Sequence, residues 1–264
     1  MKAIQYILLA ALAGVIFTSC EKVIDVKLDN ADPRLVVEGS ITTDSSYIEL
    51  NLTSSFFESG TFPVVQGAAV TIADDQGNSS ILTETSPGKY TSSLIGIPGR
   101  KYILTITSNN ETFSASSLMK NPGIIDSLSY QFVPATLFSD SGYYVTMHQK
   151  EMPGKGDRYI LKFFVNGELM NEDTYNVFDD EFIDGQAIDH RFFNDLALGD
   201  TAVAQLITID QEGYDFFNTL NATLNNNSGS PFSGTPQNPL SNVTNNGLGY
   251  FGAFNIVSDT IIVQ

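Results

Sequence analysis

The chain has 264 residues, of which 42% are hydrophobic and 16% are charged. It can therefore fill one large or two small hydrophobic cores, and its composition excludes a disordered chain. Acidic residues outnumber basic residues by 30 to 13, which gives a net charge of −17 at pH 7. A surface of this charge repels phosphate backbones, so nucleic acid is excluded as an expected partner.

The N-terminus is typical of a secretion signal that ends at a lipid attachment site. Lys2 precedes an apolar run from Ile7 to Phe17, which is shorter than the about 20 apolar residues that a membrane span needs. Small residues then lead to Cys20, the only cysteine, in a pattern that resembles the lipobox of bacterial lipoproteins. We predict that residues 1–19 are a signal peptide and that Cys20 is acylated and attached to a membrane. The alternative is an ordinary signal with an incidental cysteine.

Residues 20–33 are predicted to be a lipidated tether, and residues 34–120 a β-sandwich domain. Short segments in this domain are rich in β-branched residues or alternate with period two, and turn residues separate them. Asp74 to Asn78 supply turn chemistry between two of these strands, which indicates a hairpin. The predicted strands are 35–41, 47–52, 68–72, 80–84, 102–107 and 112–115.

A second β-rich domain is predicted over residues 124–264, after the boundary Asn121-Pro122-Gly123. Asn166-Gly167 indicates a two-residue hairpin. The predicted strands are 127–133, 143–149, 159–165, 202–209, 249–254 and 260–263.

One helix is predicted near residues 211–224, with Asp210 as its N-cap and with Ile209 and Tyr214 as a hydrophobic staple. Apolar side chains recur along it at helical spacing, which indicates a face that packs on the core. The segment 225–246 follows and is rich in Asn, Ser, Pro and Gly. Loops of this length are commonly functional or disordered.

Several segments occur in a fixed order along nearly the whole chain: 19–25, 35–39, 67–72, 99–102, 125–128, 179–186, 212–217, 229–232 and 248–253. This order resembles an uncharacterised family of Bacteroidota outer-membrane lipoproteins, known only as a domain of unknown function. The resemblance implies a cell-envelope location and an accessory role beside a TonB-dependent receptor. It also implies that the first domain is an Ig-like or transthyretin-like β-sandwich. It brings no known catalytic residues, and it leaves open whether the protein faces the periplasm or the surface.

Metal binding is predicted, if anywhere, at the acidic residues Asp179, Asp180, Glu181 and Asp184. Ca²⁺ needs several oxygen ligands, and these carboxylates are close in sequence, although their spacing is not that of an EF-hand. A solvated turn is the alternative. No other cofactor is expected, because His148 and His190 do not have the spacing of a metal motif.

No catalytic residue is predicted, because the chain lacks a Gly-x-Ser-x-Gly nucleophile motif and its cysteine is the lipid site. A binding role is favoured, with Phe232, Asn238 and Tyr250 as candidate contacts in or after the long loop. Asn side chains both donate and accept hydrogen bonds, which suits sugars or peptides. A purely structural loop is the alternative.

These observations predict a mainly β, two-domain lipoprotein of the outer membrane. We expect a non-catalytic binding or accessory subunit for nutrient uptake. A free-standing glycan-binding protein or adhesin is the first alternative. An envelope hydrolase, which would need a preorganised histidine or carboxylate pocket, is the second.

Overall fold

The computed structural model describes residues 32–54, 62–135, 141–170, 174–226 and 237–264, without the side chains of 193–195. The fold below is that of one compact unit, Pro33–Gln264. The predicted signal peptide, Cys20 and Phe232 lie outside the described residues. Among the described residues, no helix is both long and apolar enough to cross a membrane.

The described part of the chain forms sixteen strands and one helix, in agreement with the mainly β fold that the sequence predicts. The first eight strands are β1 (Leu35–Thr42), β2 (Ser46–Leu52), β3 (Ala69–Asp74), β4 (Ser79–Ile81), β5 (Thr83–Ser86), β6 (Lys89–Ser92), β7 (Lys101–Ser108) and β8 (Glu111–Leu118). The others are β9 (Ile124–Val133), β10 (Gly142–Lys150), β11 (Arg158–Val165), β12 (Glu168–Leu169), β13 (Asn176–Asp179), β14 (Ala187–Leu196), β15 (Thr201–Ile209) and β16 (Leu248–Ile262). The helix α1 (Gln211–Asn226) lies between β15 and β16.

Three sheets make two sandwiches. A nine-stranded sheet has the order β12-β11-β15-β16-β1-β2-β6-β5, with β13 also beside β11. The four-stranded sheet β4-β3-β7-β8 packs on one half of it, around Val37, Ile48 and Leu104. The three-stranded sheet β14-β10-β9 packs on the other half, around Met147 and Leu206. Alternation along the strands places these residues between the sheets and their neighbours on the opposite faces.

Strand β16 joins the two sandwiches. Its first part pairs in parallel with β1, and its second part pairs antiparallel with β15. The nine-stranded sheet therefore runs through both predicted domains. Residues 121–123 connect β8 to β9 within one compact unit. The two closing strands predicted at 249–254 and 260–263 are one continuous strand, because Asn255 and Ser258 lie in the ladder with β15 instead of forming a turn.

Asp210, directly after β15, ties the start of the helix to β8 and β16. Its Oδ1 accepts hydrogen bonds from Gly213 N and from the Tyr250 hydroxyl, each at 2.9 Å. Its Oδ2 accepts hydrogen bonds from the Ser117 hydroxyl at 2.7 Å and from Leu118 N at 2.9 Å. The predicted N-cap is thus confirmed, and the same carboxylate also holds the end of β8 against the start of α1.

Local turn chemistry was predictable, but the sheet to which a strand belongs was not. Asn166 and Gly167 have φ values of 51° and 87° and form the predicted hairpin turn between β11 and β12. The predicted strand 80–84 is instead two strands, since β4 pairs with β3 and β5 pairs with β6. The buried Leu82 lies where the chain crosses between the two sheets.

Substitution of Gly249 tests the junction between β1 and β16. Gly249 has a φ of +87°, and an added Cβ would lie 1.9 Å from the Val37 carbonyl oxygen. Gly199 has a similar φ of +94° but no atom within 4 Å of that position, so it is a matched control. Gly199→Ala should lower the free energy of unfolding by about 1–2 kcal/mol, and Gly249→Ala by at least roughly twice as much. Equal losses in urea unfolding would contradict the close packing of β16 on β1.

Candidate functional site

A pocket of about 340 Å³ lies on the helix-bearing face of the nine-stranded sheet, and we name it the aromatic pocket. Both halves of the sheet contribute to it, together with α1. Ligand pockets of this kind commonly lie between substructures and are lined by aromatic groups with a few polar ones. The side chains that matter here are those of Glu38, Tyr47, Lys162, Tyr175, Phe216, Phe217, Tyr250 and Phe254.

The aromatic wall is formed by strand and helix periodicity. Tyr250 and Phe254 are an even number of residues apart on β16 and therefore share a face. Phe216 and Phe217 project from α1 towards them. The rings of Phe216 and Tyr250 are stacked with centroids 5.0 Å apart, and those of Tyr175 and Phe217 are tilted at 4.8 Å. Such pairs stabilise one another beyond simple burial, so the wall is held in place before a ligand arrives.

Two charged side chains line the aromatic pocket. Glu38 lies on β1 directly opposite Glu49 on β2, and Lys162 lies on β11 in the other half of the sheet. Glu49 accepts a hydrogen bond from the Tyr47 hydroxyl and pairs with Lys89 at 3.4 Å, and the first of these contacts is the main reason why its pKa is lowered. Within the described residues, neither Glu38 nor Lys162 has an ion-pair partner or a side-chain hydrogen bond.

Tyr175 is close enough to Glu38 to feel its charge. Burial raises the pKa of the Tyr175 phenol, and the Glu38 carboxylate raises it further. Asn221 holds this residue in place, because its side-chain amide donates to Tyr175 O at 2.7 Å and its Oδ1 accepts from Tyr175 N at 2.9 Å. The phenol therefore stays neutral beside the carboxylate.

Of the three predicted binding residues, two lie in the described part of the chain. Tyr250 belongs to the pocket wall but is only 4% exposed, and its hydroxyl is bound to Asp210. Asn238 is exposed and does not line the aromatic pocket, and Phe232 is outside the described residues. Sequence reasoning missed Glu38 and Lys162, because each occupies an ordinary outward position and the fold alone brings them to one pocket.

The predicted metal ligands do not converge either. Both carboxylate oxygens of Asp180 accept from Gly156 N, at 3.0 and 2.8 Å, and Oδ1 of Asp184 accepts from Gly154 N at 2.7 Å. Glu181 is exposed on the turn that follows β13, the strand that Asp179 ends. Among the described residues the four predicted ligands do not form one cluster. Most of this segment is a hydrogen-bonded turn, which is the alternative interpretation, and metal binding itself stays a prediction.

A different set of acids could hold a metal by geometry: Glu151, Asp157 and Asp180 offer carboxylate oxygens within 4.8 Å of one another. Protein groups already contact this cluster. Glu151 accepts from the Tyr159 hydroxyl and from the Gln149 side-chain amide, each at 3.0 Å. Lys120 pairs with Asp157 at 3.4 Å. The same geometry is therefore that of a structural network in which protein groups already hydrogen-bond or pair with the carboxylates.

The two histidines lie on opposite faces of the three-stranded sheet. His148 Nε2 is 2.8 Å from the Ser129 hydroxyl, and its Nδ1 is 2.6 Å from Asp189 Oδ1. His190 faces inwards, where its Nε2 is 2.8 Å from Gln149 Oε1 and burial lowers its pKa. A site that uses both histidines is therefore ruled out. The Ser129–His148–Asp189 row has the hydrogen-bond order of a nucleophilic triad and runs across β9, β10 and β14 on the outer face of the sheet.

The pKa of Glu151 gives a pH-dependent prediction. Burial raises this pKa, so the folded state binds the proton more tightly than the unfolded state. The resulting stability is present below the unfolded pKa and is lost as the pH rises through the folded pKa. Glu151→Gln cannot ionise, so its urea midpoint relative to the wild type should be higher at pH 8 than at pH 4. Glu111→Gln, at an exposed position of β8, is the control. A difference in urea midpoint between Glu151→Gln and the wild type that is the same at both pH values would contradict this explanation.

Comparison with known proteins places the chain in a family without assigning a function. No match was found among the curated proteins. A solved two-domain fibronectin type-III segment from chicken tenascin is similar at 14% identity, over 68% of this chain and 92% of that one, with a TM-score of 0.23. The sequence model of one family matches residues 21–260. The chain belongs to that family, DUF4249, a domain of unknown function.

Proposed function

We propose that this protein is a lipid-anchored, non-catalytic binding subunit of the outer membrane that assists nutrient uptake beside a TonB-dependent receptor. The aromatic pocket is its ligand site. Support for the location comes from the signal pattern that ends at Cys20 and from the resemblance to Bacteroidota lipoproteins. The negative charge of the chain favours a lipid tether over direct binding to an anionic membrane surface.

The main support for a binding role is that both halves of the nine-stranded sheet and the helix together form the aromatic pocket. Residues from β1, β11, β16 and α1 meet there, and aromatic contacts hold the wall in place. A pocket that is already formed loses little conformational entropy when a ligand enters, which favours binding.

Membrane attachment is tested by Cys20→Ser, because serine cannot form the thioether that carries the lipid. The wild-type protein should partition with membranes and take up a clickable palmitate analogue, whereas the variant should do neither. Ser19→Ala is the matched control, since it keeps a small residue before the cysteine and should stay lipidated. Recovery of the wild-type protein in the aqueous fraction with a free thiol would contradict the proposal.

The uptake role is tested on the same membranes by mild solubilisation and affinity capture of the lipidated protein. A TonB-dependent receptor should copurify with the wild-type protein. Binding to a glycan array without a transporter partner would favour the free-standing adhesin instead.

A further inference from the structure

We propose that the aromatic pocket takes a small zwitterion of the amino-acid type. Its ammonium group would contact Glu38, its carboxylate would contact Lys162, and its apolar side chain would lie against the rings. This inference rests on the proposed binding function and names the ligand class of the same site.

The first argument comes from Glu38. It lies directly opposite Glu49 on the neighbouring strand, and like charges in this arrangement repel. Lys89 and the Tyr47 hydroxyl compensate Glu49. No described cation compensates Glu38 in the same way, and this carboxylate lines the aromatic pocket. A ligand ammonium group would remove the repulsion.

The second argument comes from Lys162. It lines the same pocket from the opposite half of the sheet, yet it is not within the 4.0 Å of an ion pair with Glu38. Two opposite charges therefore line one cavity without forming an ion pair with each other. A neutral ligand would desolvate both charges without pairing either of them, and a ligand with one charge would be repelled by the like-charged side chain. A zwitterion pairs both.

The third argument comes from the rings. Tyr47, Tyr175, Phe216 and Phe254 are partly exposed around the pocket, whereas Phe217 and Tyr250 are buried behind them. The exposed ring surfaces offer a stacking site for an apolar or aromatic side chain. The volume of about 340 Å³ is at the small end of the range for ligand pockets and suits an amino acid or a dipeptide.

The experiment uses the full lipidated chain in detergent and four probes measured by calorimetry at about pH 6, below the usual amine pKa. L-Phenylalanine carries both charges, and L-phenylalaninamide carries only the ammonium group. N-acetyl-L-phenylalanine carries only the carboxylate, and N-acetyl-L-phenylalaninamide is neutral. Loss of either ligand charge should weaken binding roughly tenfold. The dipeptide alanyl-phenylalanine and its blocked forms repeat the comparison with a larger distance between the charges.

Variants of the two charged residues make the test specific. Glu38→Gln should abolish the preference for a free ammonium group and keep the preference for a carboxylate. Lys162→Gln should have the opposite effect. Unfolding temperatures close to the wild type would show that both variants are folded. Glu111→Gln and Lys150→Gln, exposed on β8 and β10 away from the pocket, should leave all four affinities unchanged.

Three outcomes would overturn the inference. One is zwitterion binding that neither Glu38→Gln nor Lys162→Gln alters. Another is equal binding of all four probes. The last is a failure of every zwitterion to bind while a neutral sugar binds in a manner that Phe216→Ala abolishes. That last result would leave the proposed binding function intact, whereas a lack of binding to any ligand class would remove both.

Discussion

The double pairing of β16 is the constraint on which the rest of the structure depends. One strand is parallel to β1 in its first part and antiparallel to β15 in its second, so neither sandwich has a complete sheet without it. Gly249 allows the backbones to approach at the start of this strand, because any side chain there would meet the Val37 carbonyl. Asp210 reinforces the joint by binding β8, α1 and β16 through one carboxylate.

The aromatic pocket is a consequence of this joint. An isolated helix of the length of α1 is only marginally stable in water, so α1 depends on packing its aromatic face against the sheet. Each fully buried aromatic or aliphatic side chain contributes roughly 1.5–3 kcal/mol. Phe217 and Tyr250 supply part of that packing and also form the back of the pocket. The residues that stabilise the helix are thus the ones that shape the candidate site.

Features that depend on neighbours in sequence were predictable. The alternation in β1, the Asn166-Gly167 turn and the Asp210 cap each follow from the conformational preferences of a few adjacent residues. Features that depend on distant pairing were not. Nothing in residues 248–254 identifies β1 as their partner. Asp189, which is close in sequence to the acidic residues 179–184, lies within the regular strand β14. The proximity of Asp180 to Glu151 likewise could not be predicted, because only the fold brings these residues together.

The candidate site shows the same division. Tyr250, one of the candidate binding residues, lies in the wall of the aromatic pocket. Its burial was not predictable, since that depends on a helix packing over it. Glu38 and Lys162 could not be selected from the many charged residues of the chain, because their importance lies in sharing one cavity while remaining apart.

Native-state hydrogen exchange along β16 tests the central claim most directly. If the two sandwiches share one sheet, the amides of residues 248–254 and 255–262 should exchange through a single cooperative opening. The free energy of opening and its dependence on denaturant should then be the same for both segments. Independent opening of the two segments at different denaturant concentrations would contradict the account.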